Sequence, residues 1–276
     1  FGTSTKEIRD YCGNLINGLD FSYQKLEETQ RDQLILRVLK YINSEEVITA
    51  GQERQPDWEK GWNENLREFI NSGYEVDMLV PRYFKKNVPV RLNRDYVIPV
   101  NENFVFNITQ IFRNWLFRKY FHEVESVYEF GCGSSSNLAL LATLYPGKKL
   151  YGFDWTDASQ EIIRLLAKHR GWTIKEGYFN FFHPDETLQI EANSAVLTFG
   201  ALEQVGKNHH AFLDFLLKKS PDLCINVEGL HELYKQEENL LDYLALKYHM
   251  CRNYLNGYLS SLQNLEKEGK IEIIKV

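Results

Sequence analysis

Between Glu129 and Asn137 the chain reads EFGCGSSSN, and a second acid, Asp154, follows in LYGFDWTDAS. Glycines let a chain turn sharply out of a strand and bring its backbone N–H groups up against a ligand. Ser134 to Asn137 have the side chains that cap a helix start and leave free N–H groups in front of it. An acid ending the next strand, as Asp154 does, accepts hydrogen bonds from the two hydroxyls of a ribose. An ordinary strand-to-helix turn also uses glycine, and Gly-x-Gly alone does not separate the two. Glu129 and Asp154, each at a strand end, favour an adenosine-containing ligand.

A dinucleotide fingerprint, Gly-x-Gly-x-x-Gly, needs a third glycine where this chain has Ser136. The pattern (Asp/Glu)-x-Gly-x-Gly-x-Gly instead matches at Glu129, Gly131 and Gly133, and departs at Ser135. On these residues the chain resembles the class I S-adenosylmethionine-dependent methyltransferases, over roughly residues 105–276. The resemblance implies S-adenosyl-L-methionine as cofactor, touched by Glu129, Gly131, Cys132, Gly133, Ser135, Asp154, Trp155, Asn180, Phe181 and Phe199. Within EGYFNFFHPD it sets Asn180 against the adenine amino group, with Phe179 and Phe181 beside the ring. It makes TFGALEQVG the loop beneath the methyl donor. More narrowly, TFGALEQVG, INVEGLHELY and YHMCRNYL look like bacterial sugar or small-molecule O-methyltransferases. The acceptor is then a small molecule or sugar, with N-methylation of an amine or peptide, a non-catalytic S-adenosylmethionine-binding module and an NAD-dependent oxidoreductase as the competing readings.

Methyl transfer from a sulfonium is mainly a matter of alignment, but an alcohol nucleophile also needs a proton acceptor. Glu203 follows the fourth strand of the repeat and is the first candidate; a solvated or helix-capping acid is the plain alternative. Glu228 and His231 follow the fifth strand on the same rim. His209 and His210 are neighbours at a helix start and point apart. No HExxH or comparable spacing marks a metal site, and none is expected. In LDYLALKYHMCRNYLNGYL most apolar residues fit a core face, while His249, Arg252 and Tyr254 are polar exceptions that suit a substrate; arginine matches a carboxylate or phosphate. Arg91 and Arg94 are candidates for the methionine carboxylate, or plain solvated cations.

The elements that must hold these residues change rhythm along the chain. Residues 4–43 and 104–121 carry apolar residues at helical spacing. Residues 44–100 are broken by four of the seven prolines, with a helix at WNENLREFI. From Val127, short apolar strands alternate with helices: SVYEF, KLYGFD, WTIKEGYF, SAVLTFGA, DLCINVEG and KIEIIKV, with one long helix expected within 236–268. Such alternation predicts an α/β, doubly wound, mostly parallel sheet of Rossmann-like type. A helical N-terminal lobe, residues 1–100, precedes the ligand-binding domain at 101–276, and its 77–100 stretch is expected to cover the cofactor. The class I sheet has seven strands, so KIEIIKV as a sixth predicts a missing seventh and a natural chain that continues past Val276.

Composition bounds the rest. The net charge is −6 without a basic block, which argues against nucleic-acid binding. No apolar run reaches the length of a membrane span. Cys12, Cys132, Cys224 and Cys251 are scattered, which suits reduced thiols and a cytoplasmic setting. Aromatic residues make up 14% of the chain, enough for a packed core and a ring-lined pocket together.

Overall fold

The computed structural model describes residues 1–82, 84 and 88–276. In chain order the first elements are α1 (Thr5–Ile16), β1 (Tyr23–Lys25), α2 (Glu28–Ile42), α3 (Gln55–Asn71), β2 (Val90–Leu92), β3 (Asp95–Pro99) and α4 (Phe104–Tyr120). Then follow β4 (Ser126–Phe130), α5 (Ser136–Leu144), β5 (Lys149–Asp154), α6 (Asp157–Arg170), β6 (Ile174–Tyr178), β7 (Ser194–Phe199), α7 (His210–Lys219), β8 (Leu223–Val227), α8 (Leu240–Cys251) and α9 (Tyr258–Lys267).

Five strands form the expected parallel sheet, in the order β6-β5-β4-β7-β8. Side chains alternate across it, as a pleated strand requires. Val127, Ala195 and Leu197 enter a core with α4, α5 and Ile163 of α6. Tyr128, Phe130 and Val196 enter the other, a stack of rings with Phe153, Phe179, Phe212 and Phe215. Both faces are therefore covered, which makes the sheet doubly wound. The chain moves outward from β4 in one direction through β5 and β6, and in the other through β7 and β8. A crevice opens where those directions part, beyond the carboxyl end of β4.

The N-terminal elements dock on this frame. α1 packs on α4, α2 on α8, and α3 on α6. The α3–α6 contact is specific: Glu59 accepts the Asp157 and Ala158 N–H groups at 2.8 and 3.1 Å and so caps α6, whose own N-cap residue Thr156 makes no such bond.

Three features depart from the sequence expectation. First, β1, β3 and β2 form a small antiparallel sheet inside the stretch read only as broken. Asn93 and Arg94 both take positive φ there (50° and 64°), the geometry of a tight two-residue hairpin. Second, the single long helix of 236–268 is two, α8 and α9, parted at Asn253 (φ 53°) and Gly257 (φ 80°). Third, KIEIIKV forms no strand. The Ile273 N–H bonds the Glu266 carboxylate at 2.7 Å, which ties the segment back to α9. Alternating isoleucines mark β-propensity, but a strand also needs an edge within reach. Among the described residues no helix is long and apolar enough to cross a membrane.

Candidate functional site

A cleft with about 760 Å³ of atom-free space, counting its open mouth, lies at the carboxyl ends of β4, β5, β6 and β7. Its walls include Glu129, Gly131, Cys132, Gly133, Asp154, Trp155, Phe181 and Phe199. Eight of the ten expected cofactor residues thus meet in one place. The other two stand just outside the lining. Ser135 is buried in the left-handed region (φ 61°) at the start of α5. Asn180 folds back to accept the Phe182 N–H at 2.9 Å, shaping the loop that presents Phe181 and Phe182.

The glycine turn is fixed by its neighbours. Gly131 has φ 72°, and a Cβ there would lie 2.3 Å from the Ala201 Cβ. Gly133 has φ 52°, and a Cβ there would lie 2.6 Å from the Trp62 ring. Trp62 and Trp58, one helical turn apart on α3, stack at 5.7 Å and also line the cleft. Sequence reading missed both. Their spacing of four on a helix was visible, but nothing local told that α3 would lie over the glycine turn. Pro81 also lines the cleft, while Tyr83 and residues 85–87 of the expected cover lie outside the described residues.

Two carboxyls set the electrostatics. Glu129 is buried, and its Oε1 accepts from the Asn137 amide at 2.7 Å while Oε2 has no partner. Burial pushes its carboxyl up to about 8, against the pull of the Asn137 bond and the Arg113 charge. Asp154 has a task the sequence did not reveal. It accepts the Gly133 N–H at 2.9 Å, the Thr156 N–H at 3.0 Å and the Thr156 hydroxyl at 2.6 Å. These bonds, with a further one from the Trp155 N–H, tie β5 to the glycine turn and take up most of the carboxylate's lone-pair positions. Burial still raises the Asp154 carboxyl above its ordinary value. Among the described residues no lysine, arginine or histidine is in the lining, but Arg113 stands behind it and donates to Ser136 at 3.2 Å and Asn137 at 2.9 Å.

The expected catalytic and substrate residues gather beside the cleft. Glu203 sits in the short turn after β7, between the lining residues Ala201 and Gln204. The break between α8 and α9 docks on that turn. Leu255 N–H donates to the Glu203 carbonyl at 3.0 Å, and Asn256 N–H to the Gly206 carbonyl at 3.1 Å. That contact brings Arg252, Tyr254 and His249 to Glu203. A Cβ on Gly229 would lie 2.9 Å from the His249 ring and 3.9 Å from Glu203 Oε2. The His249 and Tyr254 rings meet edge to face at 5.5 Å.

Their protonation differs by surroundings. Burial holds the Glu203 carboxyl above its ordinary range, opposed by the Gln204 hydrogen bond and the Arg252 charge. Burial, then the charges of His231 and Arg91, lower His249 to about 4, so it is neutral near pH 7. Its Nε2 meets the Tyr234 hydroxyl at 3.1 Å, and its buried Nδ1 has no partner. Tyr234 is a further neighbour that the sequence did not single out.

Glu228 is engaged elsewhere. Its two oxygens accept the N–H groups of Ala201, Leu202 and Glu203 at 3.3, 3.2 and 3.1 Å. Burial and the Glu203 charge push it up to about 8. It anchors the turn that carries Glu203. His231 lies against the Leu255 carbonyl at 3.4 Å and the Glu232 carboxylate at 3.2 Å, and it does not line the cleft. His209 is buried against Ser261 at 3.0 Å, also away from the cleft. Arg91 and Arg94 both pair with the buried Asp242.

No protein-family model matches the chain, and no curated protein matches it. Solved structures give remote likenesses. The plantazolicin methyltransferase BpumL, solved with a monoazolic desmethylPZN analog and SAH, is 15% identical over 78% of this chain and 76% of that one, at a TM-score of 0.40. The O-methyltransferase of a trans-AT PKS multienzyme from Brevibacillus brevis, solved with S-adenosyl-L-homocysteine, is 17% identical over 47% of this chain and 46% of that one, at 0.37. A structure concerning conversion of a disulfide bond into a thioacetal group during echinomycin biosynthesis is 22% identical over 38% of this chain and 43% of that one, at 0.33. In the last two the chain spans less than half of the other protein's length. At these scores the likeness carries nothing about activity, and the fold rests on the strand order itself.

Proposed function

We propose that this chain is an S-adenosylmethionine-dependent methyltransferase acting on a hydroxyl of a small molecule or sugar. The observation that carries the reading is the lining of the cleft: two buried carboxyls, one with an unpartnered oxygen, a glycine turn and rings on several sides. A ligand with an ammonium group, a ribose and a flat base suits the same lining. Glu129 Oε2 and Trp58 Nε1, both buried and unpartnered, are an acceptor and a donor that such a ligand would satisfy.

When bound, S-adenosylmethionine supplies a methyl group already activated on a sulfonium sulfur. Glu129 would hold the amino group, the remaining Asp154 position a ribose hydroxyl, and Trp155, Phe181 and Phe182 the base. Glu203, raised by burial and carried by a turn that also lines the cleft, takes the proton from the attacking hydroxyl. Glu228 holds that turn in place through three backbone N–H groups. The test is incubation with methyl-labelled S-adenosylmethionine and a panel of hydroxylated metabolites, read by tandem mass spectrometry. Label on an acceptor oxygen is expected. Label on nitrogen, or none although S-adenosylhomocysteine binds, contradicts the reading.

A further inference from the structure

We propose that the acceptor carries an anionic oxygen group, and that Arg252 is the residue that binds it. The inference rests on the methyltransferase reading above and names the substrate class for that same site. Three arginines lie around the break between α8 and α9, and their circumstances differ. Arg91 and Arg94 share the single carboxylate of Asp242. Among the described residues, Arg252 forms no salt bridge with a carboxylate. It is nevertheless held in one orientation. Its Nη1 donates to the Tyr41 hydroxyl at 3.2 Å, and its guanidinium lies 5.1 Å from the centre of the Tyr254 ring and 5.9 Å from that of Tyr248. Its Nε is buried without a partner.

A half-buried, oriented guanidinium with a vacant donor is suited to a carboxylate or phosphate, whose paired oxygens match its fork. Its position ties it to the reaction. Just beyond it, Leu255 and Asn256 are hydrogen-bonded to the Glu203 and Gly206 carbonyls. The Arg252 charge acts on the Glu203 carboxyl and on the Tyr254 phenol. An anion on Arg252 therefore sets the rest of the acceptor beside Glu203. The backbone fixes this arrangement from the other side as well. The Arg252 carbonyl accepts the Ala50 N–H at 2.7 Å, and the Asn253 amide donates to the Ala50 carbonyl at 2.9 Å. The left-handed Asn253 that breaks the helix thus has a use: a continuous α8 would carry Tyr254 and Leu255 away from the Glu203 turn.

The experiment is calorimetry on the full chain saturated with S-adenosylhomocysteine, titrated in turn with glucuronate, glucose 1-phosphate and glucose. The first heat, from S-adenosylhomocysteine, reports the cofactor reading by itself, so its loss is distinguishable from failure of the anion subsite. At least one anionic sugar is expected to bind tenfold or more tightly than glucose, and which one does so separates carboxylate from phosphate. Arg252→Gln should erase that preference and leave S-adenosylhomocysteine affinity unchanged, while Arg252→Lys, which keeps the charge, should retain part of it. Circular dichroism checks that both variants fold. Equal binding of charged and neutral sugars, no binding of either anion, or a preference that survives Arg252→Gln overturns the proposal.

Discussion

Glu129 lines the cleft with one oxygen unpartnered, and its protonation is testable. A carboxyl whose folded value is raised from 4.5 to about 8 keeps its proton longer in the folded chain. Its contribution to stability is therefore fully present below its unfolded value and is lost as pH rises toward about 8. Thermal midpoints of the free protein should fall across that window, and Glu129→Gln should flatten the fall. A ligand ammonium favours the charged form, so binding releases a proton below about pH 8. Affinity for S-adenosylhomocysteine should then rise with pH, by at most roughly tenfold per unit. Titrations in two buffers of different ionisation enthalpy would show the release, and identical heats in both would contradict it. Glu203 makes a separate prediction. Glu203→Gln should keep S-adenosylhomocysteine affinity and lower turnover by roughly 10²–10⁴-fold. Turnover near wild type in that variant would move the base elsewhere.

The turn between β4 and α5 owes its two glycines to α3 and the β7 loop as much as to any ligand. Gly133→Ala would place a methyl group against the Trp62 ring in a left-handed backbone, at a cost of about 1–3 kcal/mol. Urea unfolding should show that loss, and Trp62→Ala in the same chain should recover part of it. An unchanged midpoint in Gly133→Ala would mean that the ring moves aside freely. What was legible in the sequence follows the same division. The five parallel strands and their helices were readable because each carries its own period and ends on its own signal, as at Glu129 and Asp154. The hairpin at Asn93-Arg94 was not, since neither residue is glycine and both strands are short. The split of α8 from α9 was hidden by unbroken helical spacing, although Asn253 and Gly257 stood there as the residues able to turn. KIEIIKV looked like a strand because alternation is local, whereas its partner edge is not.

Across the whole molecule, the cleft lining comes from parts of the chain far apart in sequence. Trp58 and Trp62 belong to the N-terminal half, Trp155 to the sheet, and these are three of the five tryptophans. Intrinsic fluorescence should therefore change on S-adenosylhomocysteine binding, and Trp62→Ala should remove much of that change. Eight of the residues expected from the motif and the strand ends line the cleft, but the sequence could not place α3, because that helix reaches the site through tertiary packing. Nor could it show that Asp154 and Glu228 each brace a turn, since hydrogen bonds to distant backbone leave no pattern in the residues themselves. The acid-lined, ring-walled cleft remains the basis of the functional reading, and titration calorimetry with S-adenosylhomocysteine and with NAD tests it most directly. The account predicts saturable, one-to-one heat from S-adenosylhomocysteine that weakens in Glu129→Gln, and none from NAD. Binding of NAD with no response to S-adenosylhomocysteine would contradict it.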